Sequence, residues 1–194
     1  MLHLSGRARG LLSAERVALN YLMHLSGVAT ATAALVALVQ GTRARVLDTR
    51  KTTPGWRARE KYAVRSGGGT NHRTDLRAAV LIKDNHLTIA GAQLATAVEK
   101  ARALAPAGTR IEVECDTRAQ VEQALAAGAD IVMLDNMSVD AMRDCVALVA
   151  GRAIVEASGG VRPETIRAIA ETGVDWISSG ALTHSAPALD LALD

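Results

Sequence analysis

Residues 111–136 read IEVECDTRAQVEQALAAGADIVMLDN. A short apolar run, Ile111 to Cys115, leads into a helix-patterned stretch over Arg118–Ala127, and a second run, Ile131 to Leu134, ends at Asp135. Strands joined through a helix of this length pair in parallel. The pattern continues downstream with a helix over Val139–Val149, a strand Ala153–Val155 ending near Glu156, and a last strand at Trp176-Ile177. Upstream lie the strand Ala79–Ile82, ending at Lys83, and Ala44–Leu47, ending at Asp48. The strand ends Glu114, Asp135, Ser158 and Ser179 recur at intervals of 21, 23 and 21 residues, the regularity of wound α/β architecture. The expected fold is a parallel (β/α) barrel of about six to seven strands with outer helices, in a single domain over residues 1–194. Ahead of it, Leu19, Leu22, Met23 and Leu25 recur at helical spacing. Ser13 is the expected cap of that helix, Gly27 a break or bend before Ala29 to Val39, and Gly41 a stop.

Composition narrows the function classes. The 194 residues are 49% hydrophobic and only 2% aromatic, with no Phe. The core must come from Ala, Val, Leu and Ile, and the few aromatics cannot stack a row of unpaired bases, so no nucleic acid is expected as partner. No apolar run is read as approaching the ~20 residues of a membrane span. The start, Met1 to Gly6, lacks the layout of a signal peptide. Two cysteines, Cys115 and Cys145, frame neither a disulfide scaffold nor a four-ligand zinc site, and read as buried fillers. No glycine fingerprint for a dinucleotide opens the first helix, and no organic cofactor is expected. The expected location is cytoplasmic.

Charge is segregated along the chain. Residues 43–83 carry eleven Lys and Arg against three acids, a balance of +8, whereas residues 84–194 balance at −8. Arg57, Arg59, Lys61 and Arg65 read as a solvated helix face. Arg50, Lys51, His72, Arg73 and Lys83 follow or surround strand ends, where α/β barrels place function. Converging such groups costs self-repulsion unless a polyanion neutralises them. Gly67 to Gly69 frees the backbone for close approach to a ligand or a neighbouring chain, and its place just before Asn71-His72-Arg73 favours a ligand-facing loop. Glu114 and Asp135 are acids at adjacent strand ends, an arrangement that holds Mg²⁺ beside phosphates. Glu112 shares a face with Glu114, so spacing leaves either acid possible. The loops Ser158-Gly159-Gly160 and Ser178-Ser179-Gly180 supply the small residues that let phosphate oxygens reach backbone N–H groups. His184, just beyond, fits a structural hydrogen bond as well as a ligand contact.

Several runs resemble the quinolinate phosphoribosyltransferase family: Glu15-Arg16-Val-Ala-Leu-Asn20, His24-Leu-Ser-Gly27, Leu47-Asp-Thr-Arg-Lys-Thr52, Gly67-Gly-Gly-Thr-Asn-His-Arg73, Ile82-Lys-Asp-Asn-His86, Leu134-Asp-Asn-Met137, Glu156-Ala-Ser-Gly-Gly160 and Ser179-Gly-Ala-Leu-Thr-His-Ser185. The resemblance implies conversion of quinolinate and phosphoribosyl pyrophosphate to nicotinate mononucleotide, pyrophosphate and CO2, with Mg²⁺, in a homodimer. It implies catalytic roles for Lys51, Glu114 and Asp135, with Glu114 and Asp135 as the metal pair. Substrate contacts would come from these residues with Arg16, Thr49, Arg50, His72, Arg73, Lys83, Ser158, Gly159, Gly160, Ser178, Ser179, Gly180 and His184. Arg16 would reach the partner subunit's site. The family carries a further N-terminal domain of about a hundred residues, expected to be absent from this chain. Three other readings stand beside this one: a catalytically impaired member of the family, a barrel lyase or aldolase forming a Schiff base on Lys83, and a nucleic-acid binder built on the basic segment.

Overall fold

The computed structural model describes residues 3–91 and 93–193. Met1 and Leu2, on which part of the signal-peptide reading rests, lie outside them. Six strands form the sheet: β1 (Arg45–Leu47), β2 (Val80–Ile82), β3 (Ile111–Cys115), β4 (Ile131–Asp135), β5 (Ile154–Ser158) and β6 (Trp176–Ser178). The helices are α1 (Ala8–Leu38), α2 (Arg57–Ser66), α3 (Asp84–Ala90), α4 (Leu94–Leu104), α5 (Arg118–Ala126), α6 (Val139–Val149), α7 (Pro163–Ala170) and α8 (Ala181–His184). All pairings are parallel and run β1-β6-β5-β4-β3-β2, the circular order of a barrel. Among the described residues, β1 and β2 do not pair. Thr70 lies beside β1 instead, donating to the Val46 carbonyl at 2.8 Å and accepting from the Asp48 amide at 3.2 Å.

Alternation along each strand sorts the side chains. Val46, Val113, Cys115, Val132, Leu134, Val155, Ala157 and Ile177 are buried toward the helices, in one cluster with Val98, Val121, Met142, Val149 and Ile166. Burying an aliphatic side chain contributes roughly 1.5–3 kcal/mol, so many small apolar groups build this core without aromatics. The intervening positions, among them Glu112, Glu114, Met133, Asp135, Glu156 and Ser158, share the opposite, interior face.

Helix α1 departs from expectation in three ways. It starts at Ala8, and Ser13 donates back to the Arg9 carbonyl at 2.7 Å rather than capping. It runs through Gly27 without a break. A Cβ at Gly27 would lie 2.2 Å from the Pro187 carbonyl oxygen, so the glycine admits the chain's C-terminal segment across the helix. There the Leu189 amide donates to the Met23 carbonyl at 3.0 Å. Finally, α1 spans 31 residues, contains an 18-residue window with a mean hydropathy of 1.5, and is by length and composition long and apolar enough to cross a membrane. Its second half packs instead on α2, β1, α7 and α8, burying Val28, Thr32 and Leu35.

Candidate active site

The C-terminal strand ends open into a cavity of about 420 Å³ lined by Thr49, Lys51, Ser158, Gly159, Gly160, Ser178, Ser179, Gly180 and His184, together with Val161, Arg162 and Ala181, which the sequence reading did not single out. Two cross-loop bonds shape it. The Thr183 hydroxyl donates to the Lys51 carbonyl at 2.7 Å, and the Ser179 amide donates to the Leu47 carbonyl at 3.0 Å. Asn136, with φ of 52°, donates from its amide to the Ser158 carbonyl at 3.0 Å and from its side chain to Asp135 at 2.9 Å. Gly159 has φ of 85°, and a Cβ there would stand 2.1 Å from the Asn136 carboxamide oxygen. Only glycine fits both the backbone and the neighbour. The Ser178 hydroxyl is buried without a hydrogen-bond partner.

Other cations lie apart from this cavity: Arg73 lines a second one, of about 510 Å³, with His72, Glu112, Arg110 and Trp176. Nε of Arg50 is buried without a partner. Arg73 donates to the Ala79 carbonyl at 3.2 Å; burial lowers its pKa, and repulsion from the Arg50 guanidinium lowers it further. Lys83 pairs with Glu114 and is 42% exposed. That pairing and exposure lack the desolvation a Schiff-base amine requires. Arg16 is exposed on α1, away from the lining of the cavity. His184 is exposed and shares a 2.7 Å hydrogen bond with Ser185.

Two residues assigned to a solvated face have other work. Arg57 donates to the Arg50 carbonyl at 3.2 Å, the Thr52 hydroxyl at 3.0 Å and the Thr74 carbonyl at 3.3 Å, clamping the loop that carries Lys51. Lys61 is buried and ion-pairs with Asp48, also donating to the His72 carbonyl at 3.1 Å. Asp48 further accepts the His72 amide at 2.9 Å and the Asn71 side chain at 2.5 Å. Burial raises the Asp48 pKa, and these donors draw it partly back. Arg59 and Arg65 do lie exposed, over the rings of Tyr21 and Tyr62.

Below the rim lies a cluster that the sequence did not assemble. Nε2 of His72 is 3.1 Å from Glu156 and 3.3 Å from Glu112, both fully buried carboxylates. Burial lowers the His72 pKa, but the two acids more than offset it and raise it to about 10. The Arg73 amide points at Nδ1 at 2.8 Å, a contact that only an unprotonated nitrogen accepts. An amide hydrogen bond contributes about 1 kcal/mol net, too little to outweigh two buried carboxylates, so the imidazolium is favoured. Burial raises the Glu112 pKa as well, and Glu156 adds to the rise. The three groups lie within 4.8 Å of one another, donor types that suit a metal. The proton on His72 and the neighbouring Arg73 already supply the positive charge there. In the sequence Glu156 marks a strand end and opens the run Glu156-Ala-Ser-Gly-Gly160; its even spacing from Ser158 is the signal that both share the interior face.

Comparison with known proteins places the chain. Residues 28–194 match the family model for the quinolinate phosphoribosyl transferase C-terminal domain. The nicotinate-nucleotide pyrophosphorylase [carboxylating] of Mycobacterium leprae is 45% identical over 197 residues, covering 100% of this chain and 69% of that protein. The Rattus norvegicus enzyme of the same name is 45% identical, covering 97% of this chain and 64% of its own length. The crystal structure of NadC from Streptococcus pyogenes superposes with a TM-score of 0.90 at 50% identity, over 95% of this chain and 65% of that one. The chain thus spans about two thirds of the length of these relatives, 64 to 69%. On the match over residues 28–194 and these identities, it belongs to the quinolinate phosphoribosyl transferase family.

Proposed function

We propose that this chain transfers the phosphoribosyl group of phosphoribosyl pyrophosphate to quinolinate, with loss of CO2, giving nicotinate mononucleotide and pyrophosphate for de novo NAD synthesis. The observation that carries the reading is Arg50: a buried guanidinium nitrogen without a partner, close enough to Arg73 for the two to repel. Such a pair calls for a ligand with adjacent anionic groups, and quinolinate is a dicarboxylate. The small-residue cavity lined by Ser158 to Gly160, with the unpartnered Ser178 hydroxyl, suits the 5′-phosphate.

In this reading Arg50 and Arg73 hold the two carboxylates, with His72 and Lys83 adding charge near them. The pyridine nitrogen lone pair attacks the anomeric carbon as the carbon–oxygen bond to pyrophosphate breaks. Lys51, exposed at the cavity lined by Ser158 to Gly160, would stabilise the charge leaving with pyrophosphate, work that is mainly electrostatic. Glu114 and Asp135, oxygen donors at neighbouring strand ends, fit Mg²⁺, which binds one or two carboxylates together with phosphate oxygens. That ion would neutralise the pyrophosphate, and Lys83 would release Glu114 when it binds. The carbon–carboxylate bond at the 2-position then breaks toward the cationic ring, and water supplies the proton. Arg16, exposed on α1 beside the exposed Leu12 and Val17, supports contribution to a partner copy in a homodimer. A cytoplasmic location accompanies this metabolic role.

The test is product formation from quinolinate, phosphoribosyl pyrophosphate and Mg²⁺. Nicotinate mononucleotide is expected to appear, and nicotinate is not expected to replace quinolinate. Arg73→Ala should raise the KM for quinolinate on the order of 10- to 100-fold, the scale of a charge-assisted pair. Failure of the folded chain to bind either substrate would overturn the assignment.

A further inference from the structure

Segment 69–73 fills the place of a strand at the open edge between β1 and β2, and it is held at three points. Thr70 lies along β1 through two backbone bonds, and Asp48 with Lys61 grips the backbone on both sides of His72. The third hold crosses the interior: the His72 ring reaches Glu156 on β5 at 3.1 Å and Glu112 on β3 at 3.3 Å. Both acids are fully buried, and three of their four oxygens have no hydrogen-bond partner in good geometry. No core requires two such carboxylates for packing; apolar residues of similar size would cost less. We infer that Glu112 and Glu156 are positioning residues, which grip the His72 ring and thereby fix segment 69–73 and the Arg73 guanidinium where the substrate carboxylates are read. The inference rests on the function proposed above for Arg73, and it concerns acids to which that function gave no role.

The latch needs an acceptor for Nε2–H more than it needs a second charge. Glu156→Gln keeps a carboxamide oxygen there, whereas Glu156→Leu removes it. Hydrogen exchange of segment 69–73 in the full chain reads the latch without any substrate. In Glu156→Leu, exchange of these amides should rise at least about tenfold while α6 stays as in the parent; Glu156→Gln should stay within about threefold of the parent. The dissociation constant for quinolinate, by calorimetry, should rise by about tenfold or more in the Leu variant and little in the Gln variant. A cycle with His72→Ala completes the test: once His72 is gone, Glu156→Leu should weaken quinolinate no further.

Unchanged exchange in Glu156→Leu overturns the inference, as does a rise spread over the whole chain or additive effects in the cycle. A Gln variant as damaged as the Leu variant also overturns it. Should Glu156→Leu fail to fold, Glu112→Gln with Glu156→Gln in one chain carries the exchange measurement, with the same expectation as for Glu156→Gln. A parent that binds no quinolinate, yet shows the exchange pattern described, would remove the proposed substrate and leave the latch standing.

Discussion

Single residues carry the sharpest expectations. Gly159→Ala places a methyl where the Asn136 carboxamide stands, on a backbone with φ of 85°. The expected cost is about 1–3 kcal/mol, read as a lower urea midpoint, together with loss of phosphate binding. Pairing it with Asn136→Gly should recover the part of the cost due to the clash and leave the part due to the backbone. His72 gives a signed dependence on pH. Its pKa is raised from 6.5 to about 10 in the folded chain, so its contribution to stability is complete below 6.5 and fades as pH rises toward 10. Thermal midpoints should fall across that window in the parent, and this part of the fall should vanish in His72→Gln. The thiols are inert by the same logic, since burial pushes Cys115 up to about 12 and raises Cys145. Iodoacetamide at pH 8 should label both only after unfolding.

Elements show where sequence was enough and where it was not. Strands β3 and β4 and helix α6 stand where the apolar runs put them, because period and flanking polar residues are local signals. Most of the cavity residues were legible for the same reason, since each sits at the end of a run and parallel winding gathers run ends on one rim; Arg162, two residues past the Ser158–Gly160 loop, was not. Lys61 was not legible. Its neighbours Arg57, Arg59 and Arg65 make α2 look like a wet face, and the partner that buries it, Asp48, belongs to the loop after β1. Lys61→Ala strands a buried carboxylate, so a loss of about 3–5 kcal/mol is expected, whereas Arg65→Ala should cost under about 0.5 kcal/mol. Gly27 failed as a helix breaker because the segment crossing it lies 160 residues later. Glu156 hid in plain view, since the histidine that gives it a role is 84 residues away.

At the scale of the molecule, the charge segregation read from the sequence becomes spatial. The basic segment supplies β1, α2 and β2, and the acidic remainder supplies the strands between, so the sheet carries cations at its two unpaired edges and acids across its middle. The barrel expected from the spacing is present in strand order, and the opening between β1 and β2 is what the sequence did not foretell. No pattern in residues 67–74 announces a strand, because three glycines and a run of polar side chains read as loop. That order also governs how the chain can assemble. Strand β1 has β6 as its ladder partner, Arg45 opposite Trp176, so the first strand of this sheet waits for the sixth. On the ribosome, Thr70 can bond one edge of β1 early, but the edge that takes β6 stays open until some 130 further residues have been synthesised. At about 5–20 residues per second this is a wait of roughly 7 to 26 seconds. The sheet can grow from β2 toward β6 during that time, and the site cannot close before β6 is made.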